Sequence, residues 1–124
     1  MDDIFYLSQT KLNVDSICAL FQKADVIRVE KFKTSNTLQL YTKTQMLHLA
    51  IMEPFEFKDS ADQRFIQEKK ISSIICISHH TSYIAETLKL TELLLEKWGG
   101  WIGNDTDGFL PIFDVKNISV FCYE

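Results

Sequence analysis

Residues 71–100, ISSIICISHHTSYIAETLKLTELLLEKWGG, place a strand and a helix in immediate succession, and their reading decides the fold class. Over 71–78 the apolar side chains fall on both faces of an extended chain, Ile74 and Cys76 on one and Ile75 and Ile77 on the other. A strand that is apolar on both sides belongs inside a sheet that is covered twice, or covered once and engaged in an interface. Over 83–98 the period changes. Ile84, Leu88, Thr91, Leu95 and Trp98 form one helical stripe, widened by Leu94, with Thr81 or Ser82 as the expected cap and Gly99-Gly100 as the stop.

Working back from this unit, three strand-like runs occupy 26–33, 37–43 and 45–53. The second places Leu38 and Leu40 on one face, and the third Leu47, Leu49 and Ile51. The gaps Thr34-Ser35-Asn36 and Thr42-Lys43-Thr44 are short enough for hairpins, so an antiparallel meander is expected, ended by Pro54. A helix over 14–24, capped by Asn13, carries Val14, Ile17, Cys18, Phe21 and Ala24 on one stripe, and residues 4–8 precede it as a strand. Ser60-Ala61-Asp62-Gln63 has the form of a capping box and starts a short helix to about Lys70. Past the glycines come a polar turn over 103–108 and two strand-like pieces, 109–113 and 118–123. The order β-α-β-β-β-α-β-α-β-β lacks βαβ regularity. It predicts an α+β two-layer sandwich, a mostly antiparallel sheet with helices packed on one face.

The 124 residues suit one domain, 1–124, and no repeat or boundary interrupts them. With 46% hydrophobic residues, including nine Phe, four Tyr and two Trp, the chain can build a core without a disulfide or metal. Its start, Met1-Asp2-Asp3, is acidic where a secretory leader is basic, and no run approaches the ~20 apolar residues of a membrane span. A cytoplasmic protein is expected. Cys18, Cys76 and Cys122 lie in apolar surroundings at wide spacing and are expected as buried free thiols. The net charge of −4 and the lack of any basic cluster larger than Lys69-Lys70 or Arg28, Lys31, Lys33 weigh against direct nucleic-acid binding. The same charge suits a basic partner protein.

The richest polar feature is the tail loop. Asp105, Asp107 and Asp114 stand beside Trp101 and Phe109, the composition of an interface centre with a charged rim. Glu53, Glu56 and Asp59 are expected to extend the same partner-binding face. Measured against a calcium loop, the tail puts Gly103 at the first ligand position and a short Asp114 at the last, so no metal site is expected. Cys76, His79, His80 and His48 lack the paired spacing of a zinc site. His79 and His80 are expected at the surface, by the start of a helix. Phosphate-loop, dinucleotide, nucleophile-elbow and zinc-protease patterns are absent, so neither catalytic residues nor a cofactor are expected.

Residues 88–107 join a leucine-rich helix to Trp98-Gly99-Gly100-Trp101-Ile102-Gly103-Asn104-Asp105. This passage resembles the ends of small bacterial proteins that include immunity proteins of contact-dependent growth-inhibition and polymorphic toxin systems. The resemblance implies a cytoplasmic, non-catalytic protein that binds one cognate toxin, often a basic nuclease, and covers its active site. The alternatives are a small-ligand domain or enzyme of unrecognised type near His79 and His80, and a homodimer formed through the two-sided 71–78 strand.

Overall fold

The structure is a computed structural model and describes residues 2–24 and 26–122. Six strands, β1 (Asp2–Ser8), β2 (Arg28–Phe32), β3 (Thr37–Tyr41), β4 (Met46–Met52), β5 (Ser73–His79) and β6 (Trp101–Asn104), form one sheet in the order β2-β3-β4-β5-β1-β6. Every neighbouring pair is antiparallel. With three α-helices, α1 (Val14–Gln22), α2 (Ser60–Lys69) and α3 (Ile84–Trp98), the fold is α+β. β2, β3 and β4 are the expected meander, and β5 lies inside the sheet between β4 and β1.

Strand alternation sorts the core into two parts. Ile4 and Tyr6 of β1, with Ile75 and Ile77 of β5, face α1 and α3 and belong to the larger cluster. The buried Tyr6 hydroxyl donates to the carbonyls of Leu94 (3.2 Å) and Gly99 (2.7 Å), pinning the end of α3 to the sheet. Phe5, Leu7 and Ile74 point the other way and meet Ile66 of α2 and Phe109. α1 and α3 are thus the helical layer on one face, and α2 covers one part of the opposite face.

The local signals act as expected at α1, where the Asn13 side chain accepts from the Ser16 N–H and Ser16 Oγ accepts from the Asn13 N–H. α2 begins differently. Its cap is Asp59, which accepts from Ala61 N and Asp62 N, so Ser60 is already helical and the expected capping box does not form. Nor do Thr81 or Ser82 cap α3. A 3₁₀ turn at Thr81–Tyr83 precedes it, and His80 Nδ1 accepts from Ser82 N at 3.2 Å.

The tail departs most from expectation. The sixth strand is Trp101–Asn104, directly after the glycine stop, in place of the strands expected over 109–113 and 118–123. Of those segments, Phe113 makes a single bridge to Ile102, Ile118–Val120 is a 3₁₀ turn, and Tyr123 lies outside the described residues. Four residues are too few to show an alternating pattern, and here one of the four is glycine. Cys18 is buried as expected, but Cys76 is half-buried and Cys122 exposed.

Candidate functional site

Phe109 was expected to anchor a partner, but it is 1% exposed. Its ring packs edge-on against Phe57, Phe5 and Phe65 with centroids 5.4, 5.6 and 5.8 Å away. An aromatic next to polar loop residues suits an interface, but the fold makes Phe109 the hub of the second core. Trp101 is half-buried, edge-on to Phe65 at 6.0 Å, with the Lys69 ammonium 5.5 Å from its ring. Leu110, the next residue after Phe109, is instead 61% exposed, and Phe55, in the turn after β4, is 69% exposed.

The acidic residues also divide. Glu53 is an ion pair with Lys11 at 2.6 Å, and Glu56 accepts from the Glu53 N–H to close its own turn. Asp114 accepts from Lys116 N in a local turn. The remaining carboxylates come together from distant parts of the chain. Asp62 accepts from the Gly108 N–H at 2.7 Å, which ties the start of α2 to the tail loop. Burial raises the Asp62 pKa first, with repulsion from Asp59, Asp107 and Asp105 adding to it. Asp105 follows Asn104, which pairs with Ile4, so it lies near Asp3. Both aspartates help to raise the pKa of Cys76. Asp3, Asp59, Asp62, Asp105 and Asp107 therefore share one end of the sheet. Among the described residues the ion pairs are Lys11–Glu53, Arg28–Glu30 and Asp15 with Lys31 and Lys33, so none neutralises this end.

Beside that end the sheet is less covered. α2 and Phe109 cover Phe5, Leu7 and Ile74, and Met52 at the end of β4 packs against the same cluster, while Gln39, His48, Ala50, Cys76 and Ser78 on that face are half-buried. Register sets Glu30 opposite Gln39, Gln39 opposite His48, His48 opposite Ser78 and Ser78 opposite Asp3, a polar row across five strands. Ser78 Oγ donates to Asp3 Oδ1 at 2.6 Å where the row meets the acidic end. The neighbouring row is small in its middle, with Ala50 opposite Cys76. Phe32 and Met46, 41% and 37% exposed, stand at the margins. The surface is a polar-and-apolar floor with an anionic border.

The Cys–His residues do not assemble. Cys76 stands opposite Ala50 and Phe5, and burial, reinforced by Asp3, pushes its thiol up to about 11, away from the reactive thiolate. His79, expected at the surface, is fully buried on the other face of β5, while His80 is exposed and caps its turn. Among the described residues no three His, Cys, Asp or Glu side chains are grouped to hold a metal ion. Of the described helices, none is long and apolar enough to cross a membrane. Asp3 is not visible as part of this face in the sequence, because its position comes from strand register, and Asp62 reaches the tail loop only through its contact with Gly108. No protein-family model, curated protein or solved structure matches the chain.

Proposed function

We propose that the chain is a protein-binding module that docks a basic partner on its acidic end and the adjoining sheet face. Its most concrete form is an immunity protein that occludes a cognate nuclease toxin, in line with the resemblance of residues 88–107. The observation that carries this reading is the convergence of Asp59 and Asp62 with Asp105 and Asp107, unpaired with any cation among the described residues. Holding like charges together costs stability, and repulsion from Asp59, Asp107 and Asp105 adds to the burial that raises the Asp62 pKa. A cationic partner would relieve the repulsion on binding, and the summed field would speed encounter. Leu110 in the tail loop and Phe32 and Met46 at the margins of the sheet face are exposed apolar side chains that such a contact would bury.

Co-expression with the product of the adjacent gene, followed by co-purification and binding kinetics, tests this. Asp59→Asn, Asp105→Asn and Asp107→Asn together remove three charges while keeping a residue that caps α2 well. Association is expected to slow by roughly tenfold at low salt, with a weaker dependence on ionic strength. An unchanged association rate, or no complex at all with the neighbouring product, counts against the proposal.

A further inference from the structure

The opposite, helical face carries a second candidate surface, whose lining holds three lysines and one carboxylate. α1 and α3 run antiparallel there, and the seam between them opens into two depressions of about 460 and 360 Å³. The first lies where Ala24, after the end of α1, meets Ala85, Lys89 and Leu93 of α3, and the second where Leu20 and Lys23 meet Lys97 and Trp98. Ala85, Lys89, Leu93 and Lys97 recur every fourth residue, so a single ridge of α3 borders the seam along its length. Lys23, Lys89 and Lys97 are exposed and absent from every ion pair among the described residues. Glu86, which borders the first depression, accepts from Thr42, Thr44 and Gln45 and keeps its charge, so it offsets Lys89 there and the excess positive charge of the seam lies at Lys23 and Lys97.

From this arrangement we propose that the seam seats an acidic amphipathic α-helix of another protein, with its leucines over Leu20 and Leu93 and its carboxylates against Lys23, Lys89 and Lys97. Alanines at 24 and 85 let a helix backbone approach closely. The seam follows α3, whose 15 residues span roughly 22 Å, enough for three to four turns of a docked helix. It is open along its length, so a hydrocarbon chain lying in it would stay half in water, whereas a helix covers it and turns its own polar side outward. This surface is on the far side of the sheet from the acidic end, and the two can be occupied together.

The test uses the whole ¹⁵N-labelled chain and three probes: a synthetic Leu/Glu amphipathic helix of about five turns, its Leu/Lys counterpart, and oleate. The Leu/Glu helix is expected to shift amide resonances of α1 and α3 and the Trp98 indole, and the Leu/Lys helix to leave them in place. Lys89→Glu with Lys97→Glu should weaken the Leu/Glu helix at least about tenfold, while thermal melts match the parent because both side chains are exposed. No shift up to millimolar peptide, shifts centred on the opposite sheet face, equal binding by the reversed variant, or binding of oleate alone would each overturn the proposal.

Discussion

Gly103 of β6 lies directly against Phe109: a Cβ added at Gly103 would come within 2.7 Å of the Phe109 Cβ and 2.9 Å of its carbonyl oxygen. Phe109 cannot move away easily. Its backbone is in the left-handed region with φ 64°, its N–H donates to the Thr106 carbonyl at 3.0 Å, and its ring is held by three phenylalanines. A side chain therefore had to be given up on the strand so that the tail could place a ring over β1.

Gly103→Ala should consequently destabilise the chain by about 1–3 kcal/mol, through overpacking against backbone atoms that cannot rotate aside. Urea denaturation gives the value. A variant as stable as the parent would mean that β6 and the tail separate at little cost, and that the second core is looser than its geometry implies.

The parts of the fold visible in the sequence were those with a local cause. The meander follows from alternation in 37–53 with short polar gaps, the double cover of β5 from its isoleucines, and the end of α3 from Gly99-Gly100. The tail was hidden because its structure is long-range. Trp101–Asn104 becomes a strand by pairing with β1, almost a hundred residues earlier in the chain, and Phe109 is buried only because Phe5, Phe57 and Phe65 meet it there. The same holds for the candidate surface. Composition points to Asp105, Asp107 and Asp59, but it points equally to Glu53 and Glu56, which Lys11 and a local turn engage.

Asp62 supplies a pH-dependent prediction. Its carboxyl is raised in the fold, chiefly by burial and then by its acidic neighbours, so the folded state holds that proton more tightly than the unfolded chain. The stability it contributes is present at acid pH and lost as pH rises through its folded pKa. Asp62→Asn keeps an oxygen to accept from Gly108 N and removes the charge. It should raise stability at pH 7 by some tenths to about 1 kcal/mol, and the gain should vanish toward pH 3. A loss of stability at pH 7 would show that the carboxylate's hydrogen bond outweighs the repulsion.

The three thiols should separate by reactivity. Cys122 is exposed, Cys76 is half-buried with its pKa pushed up to about 11, and Cys18 is buried in the larger core. Iodoacetamide at pH 8 is expected to modify Cys122 first, Cys76 far more slowly and Cys18 only on unfolding. Peptide mass mapping over time reads the order. Rapid alkylation of Cys76 would contradict its desolvated setting and reopen a reactive role for that strand.

His79 gives the last prediction, and its sign is opposite to that of Asp62. It is fully buried at the end of β5, opposite Asp2, and burial holds its pKa below the usual histidine value, although Asp2 and Asp3 pull the other way. The folded chain therefore keeps the ring neutral at a pH where the unfolded chain, with a value of about 6.5, has begun to take up a proton. Stability from this group is complete above about 6.5 and falls away as the pH drops toward the lower folded value, with a slope of at most about 1.4 kcal/mol per pH unit. Urea midpoints between pH 7.5 and 5 should decline for the parent, and the decline should flatten in His79→Gln even if that variant is less stable throughout. Equal slopes for the two would trace the pH dependence to other groups and leave His79 as a packing residue alone.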